Sequence, residues 1–161
     1  MAYGKFFGKK AGFISKEWFP CFANYRRDGY DFDARWDDAL TSRRCKKLMD
    51  QFGNHQELPS YELKKLAGFG KDGEKNFDGV VADLQMQSYL VIKAFRRRKN
   101  KQGIEYGMPV SVYCMPEQLW GYDWITSCYK EEPQESKEKI QIQIKTQFPL
   151  ITERQIQKIL K

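Results

Sequence analysis

The sequence predicts an α+β chain, mostly helical, in which a unit of three helices and a β-hairpin carries further helices at both ends. Three observations predict it. Two apolar-striped stretches separated by a glycine turn lie between Ser60 and Leu84, two strand-like runs follow between Tyr89 and Cys114, and a block of cations separates those runs.

Ser60 is placed to cap a helix through Tyr61 to Ala67, with Pro59 before it and Gly68 after it as boundary residues. Leu63, Leu66 and Ala67 share one face of it, and Lys64 and Lys65 point away. A second helix begins near Glu74. In it Phe77, Val80, Val81 and Leu84 recur at the spacing of one helix face, leaving Lys75, Asn76, Asp83, Gln85 and Gln87 for solvent or a partner. Upstream, Trp36, Leu40, Cys45, Leu48, Met49 and Phe52 predict one further amphipathic helix of about four turns ending near Gly53. Tyr89 to Phe95 is rich in aromatic and β-branched residues, and Val110, Val112 and Cys114 alternate.

Helix, helix, helix, strand, strand is the order of a winged helix, here over residues 36 to 115. In the usual docking of such folds the third helix enters the major groove and the wing lies over neighbouring phosphates. The wing is Arg96-Arg97-Arg98-Lys99-Asn100-Lys101-Gln102-Gly103. Five cations at one hairpin tip repel one another unless an anion neutralises them, which makes Arg96, Arg97, Arg98, Lys99 and Lys101 candidate DNA-binding residues. Gly68-Phe69-Gly70-Lys71-Asp72-Gly73 has the letters of a dinucleotide fingerprint, but a helix precedes it where the fingerprint needs a strand. It reads instead as an interhelical turn. Backbone N–H groups at the helix start, with Lys71, Lys75 and Asn76 beside them, would suit a DNA phosphate.

The 161 residues carry 28 Lys and Arg against 21 Asp and Glu, a net charge of +7, with a pI near 9.2. That balance fits a polyanionic partner, with duplex DNA as the expectation. The chain is long enough to bury about two-thirds of its unfolded surface as one domain with appendages. Cys21, Cys45, Cys114 and Cys128 are far apart, with no Cys-x-x-Cys, and His55 is the sole histidine. A zinc site of ordinary spacing is excluded on that pattern, and no metal or cofactor is expected. Buried thiols, no signal-peptide pattern and no apolar run near about 18 residues predict a cytoplasmic protein without membrane contact.

Residues 1 to 35 are unusually aromatic, including Tyr3, Phe6, Phe7, Phe13, Trp18, Phe19 and Phe22. They predict a helical extension packed on the winged helix, with base stacking as the sharper alternative. Residues 116 to 161 predict a C-terminal helical segment. Pro116 opens one helical turn that Gly121 closes, Ile140, Ile144 and Phe148 mark a helix face that a strand would also fit, and Thr152 caps a last helix with Ile156, Ile159 and Leu160 inward.

No nucleophile has a base placed beside it by motif. Gln85-Met86-Gln87 is the remaining catalytic candidate, since two glutamines can orient a water or grip a base edge; near a helix end they read as solvated side chains. The stretch Ser60 to Lys71, with Leu84-Gln85-Met86-Gln87-Ser88-Tyr89-Leu90 and the wing after it, resembles the AlkZ-related proteins, small proteins of Firmicutes. These are similar to the winged-helix superfamily of the AlkZ-type DNA glycosylases, which excise alkylated or crosslinked bases through a Gln-x-Gln or Gln-x-Asp element in a body of tandem winged helices. Gln85 and Gln87 match that element in letters, at a different place, and 161 residues cannot hold three such modules. The resemblance also implies that relatives extend before Met1. The resulting expectation is a non-catalytic, regulatory or repair-associated DNA-binding protein. The alternatives are a reduced glycosylase using Gln85 and Gln87, and a protein-interaction module.

Overall fold

The computed structural model describes residues 1–161. The elements in chain order are β1 (Ala2–Phe7), β2 (Lys10–Ile14), α1 (Phe19–Arg27), α2 (Phe32–Asp37), α3 (Arg43–Asp50), β3 (Glu57–Pro59), α4 (Ser60–Leu66) and α5 (Phe77–Met86). They continue through β4 (Val91–Lys99), β5 (Glu105–Cys114), α6 (Pro116–Trp120), α7 (Tyr122–Ile125), α8 (Pro133–Gln147) and α9 (Glu153–Leu160). The fold is α+β, as the sequence predicts. Its five strands form one antiparallel sheet in the order β2-β1-β4-β5-β3.

The sheet's inner half has a core on each face. Val91 pairs with Cys114 and Ile92 with Tyr113, and successive strand residues face opposite ways. Ile92 and Tyr113 therefore join Leu48, Leu63, Val81 and Leu84 from α3, α4 and α5. Val91 and Cys114 join Phe6, Phe19, Ile125, Ile140, Ile156 and Leu160 from both ends of the chain. Beyond Ala94 the two long strands leave the body, and their outer residues are exposed.

Five expectations are corrected. Residues 1 to 35 are only partly helical: α1 and the start of α2 lie there, but residues 2 to 14 are strands, β1 and β2, in a hairpin that joins the sheet through Tyr3 and Ile92. Ala2, Gly4 and Phe6 are its inward positions, and an alternation carried by alanine and glycine gives little hydrophobic signal. Gly8 and Lys9 turn with φ of 60° and 65°, the two positive values of a tight hairpin.

Residues 36 to 53 are not one four-turn helix. The chain leaves α2 through Ala39 at φ 58° and restarts at Ser42, whose side chain accepts from the Cys45 N–H. This cap and the exposed Leu40 break the apparent stripe. Of the five cations only Lys101 is in the hairpin tip. Arg96 to Lys99 lie within β4, and the tip is closed by Asn100, whose side chain accepts from the N–H groups of Gln102 and Ile104. Leu66, read as inward, is exposed, and α5 starts at Phe77 rather than near Glu74.

The C-terminal segment is helical, as expected. Ile140, Ile142 and Ile144 lie in a helix whose first turn contains Pro133, and Thr152 forms a full capping box with Gln155. No helix is long and apolar enough to cross a membrane.

Candidate nucleic-acid interface

The β4–β5 ribbon sets the geometry of the basic surface. Arg96 pairs across it with Val110, Arg98 with Tyr106 and Lys99 with Glu105. Its cations are not equivalent. At the base, Lys93 and Arg96 flank the Glu57 carboxylate, with Nζ 3.1 Å from Oε1 and Nη2 2.6 Å from Oε2. The hydrogen bond from Lys93, helped by the charge of Arg96, holds the Glu57 carboxyl below the usual range. Arg97 Nε donates to the Gly107 carbonyl at 2.9 Å, where Gly107 bends β5 with φ 74°. The Arg98 guanidinium stacks 4.6 Å from the Tyr61 ring centroid on α4. Lys99 and Lys101 are exposed and make no ion pair.

Apolar side chains stand exposed among these cations. Ile104, Tyr106 and Met108 line the outer ribbon, Met108 at 84% exposure. At its base Tyr3 stacks on Phe13 and Phe95 with centroids 4.9 and 5.8 Å apart, and Phe13 and Phe95 are open to solvent. A positive ribbon with exposed rings is able to meet phosphates and base faces together.

The helix expected to read a groove is covered. All of α5 from Val80 to Gln85 is buried except Asp83, and Asp78 is its other exposed charge. The β1–β2 hairpin lies across it. Lys9 pairs with Asp83 at 3.2 Å, and the Lys9 N–H meets Met86 Sδ. Gln85 is not solvated: Oε1 accepts from the Lys5 N–H at 3.0 Å and Nε2 donates to the Val81 carbonyl at 3.2 Å. Gln87 is half-buried and its Oε1 has no hydrogen-bond partner.

The glycine turn is held by its own residues. Lys75 Nζ donates to the carbonyls of Gly70 and Lys71. Glu74 bridges Lys47 and Arg44 at 3.0 and 3.3 Å, and the Lys47 hydrogen bond leads in lowering its carboxyl's pKa. Asn76 takes a left-handed φ of 65° without capping α5. Lys71 stays exposed. Carboxylates at Glu74 and Asp78 thus flank the helix start expected to face a phosphate.

Sequence reasoning missed a second polar centre. Arg27 is buried at 1% exposure. Nη1 donates to Glu117 Oε1 at 2.7 Å and to the Tyr129 hydroxyl, and Nη2 donates to the Ser88 carbonyl at 2.8 Å. Its guanidinium lies 4.8 Å from the Tyr89 ring centroid, and the Tyr89 hydroxyl donates to the Tyr30 carbonyl. Burial opposes the charge of Arg27, but Glu117 and Tyr129 together outweigh it and raise its pKa, and burial pushes the Tyr89 phenol up to about 12. Arg27, Tyr89 and Glu117 line a cleft of about 400 Å³ together with Asp31, Asp33 and Asp50. Its signal was legible, since Arg27 falls four and eight residues after Ala23 and Phe19 on one apolar stripe.

The expectation of buried thiols holds for Cys21, Cys45 and Cys114, while Cys128 is half-buried. The fold brings Cys128 to within 3.4 Å of Cys21.

A family model described as AlkZ related matches residues 1–161. The chain belongs to the AlkZ-related family. Membership ties the chain to DNA repair. No match is found among curated proteins, nor among solved structures. Within this AlkZ-related chain the β4–β5 ribbon combines a run of exposed cations with exposed rings, and it is the candidate interface.

Proposed function

We propose that this AlkZ-related protein is a non-catalytic, repair-associated duplex-DNA-binding protein of winged-helix type that grips its target by the wing. The order α3, β3, α4, α5, β4, β5, with β5 between β3 and β4, supports the winged-helix reading. The single observation that carries the binding mode is the projecting β4–β5 ribbon, where Arg97, Lys99 and Lys101 stand among exposed Ile104, Tyr106 and Met108. The covered, acid-edged α5 argues against groove reading by a helix, so binding is governed by phosphates and tolerant of sequence. Base excision through Gln85 and Gln87 is disfavoured because both ends of the Gln85 amide are already hydrogen-bonded.

Binding to random duplex, single strand and RNA across a salt series tests the reading. Duplex affinity should fall steeply with salt, and alanine at Arg96, Arg97, Arg98 and Lys99 together should lower the slope by about 0.9 for each phosphate no longer neutralised. A slope unchanged by the fourfold variant would leave the ribbon a solvated hairpin. Release of free base from alkylated duplex would make the protein an enzyme.

A further inference from the structure

We propose a zinc site in which Cys21, Cys128 and Glu131 supply three ligands and solvent the fourth. It lies in the second core, away from the basic ribbon. Cys21 sits in the first turn of α1, and Cys128 and Glu131 lie on the turns between α7 and α8. Their ligand atoms all fall within 4.8 Å of one another, and the two sulfurs are 3.4 Å apart. Zinc–sulfur bonds of about 2.3 Å at a tetrahedral angle span a sulfur–sulfur separation of about 3.8 Å, so closing around zinc takes a shift of a few tenths of an ångström.

The surroundings are built for such a site. Asn24, one turn after Cys21, donates from Nδ2 to the Glu131 carbonyl at 3.1 Å and to Ser136 Oγ at 2.9 Å, clamping the ligand turn against α1. Lys139 Nζ lies 2.8 Å from Glu131 Oε2, so a cation holds the carboxylate that would bind the metal. Two thiolates and one carboxylate carry three negative charges, which zinc's two positive charges and that of Lys139 cancel. Near-neutrality matters beside an apolar core, where an uncompensated charge is costly. Two sulfurs with one oxygen suit a borderline-soft ion, and Cys128 is exposed enough to admit a water to the open position. Ligands 107 residues apart in sequence are invisible to a spacing rule.

Cobalt(II) and zinc titrated into the reduced, full chain test the site. One metal per chain should bind, with a thiolate-to-cobalt charge-transfer absorption that zinc bleaches. Cys128→Ser should abolish that absorption, Lys139→Ala should weaken zinc by about 10- to 100-fold, as removal of a group that supports a ligand does, and Cys45→Ala should change neither. Glu131→Gln should weaken zinc at least as much as Lys139→Ala while keeping the sulfur absorption. Failure of the reduced chain to take up stoichiometric metal, or uptake that survives Cys128→Ser, overturns the proposal. So does a Cys21–Cys128 disulfide forming readily in a chain that ignores both metals.

Discussion

Gln85 Oε1 accepts the Lys5 N–H at 3.0 Å, so the side chain near the end of α5 closes the first strand onto that helix. Gly4 permits the approach, because a Cβ there would meet the Phe6 ring at 2.8 Å and Gln85 Oε1 at 3.3 Å. Gln85→Ala should therefore destabilise the fold by about 1–3 kcal/mol, the cost of leaving a buried partner unsatisfied. Denaturant unfolding checks this. A shift within about 0.5 kcal/mol, the usual range for surface changes, would mean that Gln85 is a solvated residue after all.

Leu84 is fully buried where α5 meets α3, α4 and the sheet. Leu84→Ala should cost about 2–5 kcal/mol through lost transfer energy and a cavity. A midpoint moved without a change in denaturant slope would show that only stability is affected.

The apolar stripe of α5 and the helix-strand order were legible because each is a local period. What covers α5 was not. The hairpin that buries Gln85 comes from residues 80 positions away, and its inward face is written in Ala2 and Gly4 as much as in Phe6. The cation run was visible, yet its division was not: Glu57, 39 residues before Arg96, decides that Arg96 is paired while Lys99 is free. The proximity of Cys21 to Cys128 is of the same kind, fixed by how α1 packs against α8 rather than by any spacing.

Tyr89 is one of several buried groups that set an alkaline limit, since burial also raises the Tyr129 phenol and the Cys114 thiol. Burial pushes the Tyr89 phenol up to about 12, above the ordinary value near about 10 of an unfolded chain. The folded state then holds a proton that the unfolded state has lost. Stability is fully present below about pH 10 and declines as pH rises toward 12. Tyr89→Phe should make this decline shallower by the Tyr89 share while costing about 1 kcal/mol at neutral pH for the hydrogen bond to the Tyr30 carbonyl. Unfolding followed from pH 9 to 12, with phenolate absorbance as the second readout, decides it; an equal decline in the variant would assign the limit to other groups.

The ribbon's cations should divide by their present partners. Arg96 is paired with Glu57 at 2.6 Å, and binding a phosphate would require it to leave or share that carboxylate. Lys99 and Lys101 have no such competitor. Lys99→Ala and Lys101→Ala should each lower the salt slope of duplex binding by about 0.9, uniformly across sequences, whereas Arg96→Ala should lower it by clearly less. Glu57→Gln supplies the reciprocal case: releasing Arg96 and Lys93 should steepen the slope and tighten binding at low salt. Equal effects of Arg96→Ala and Lys99→Ala, with Glu57→Gln silent, would show that the Glu57 pair does not restrain the ribbon and that all its cations reach DNA alike.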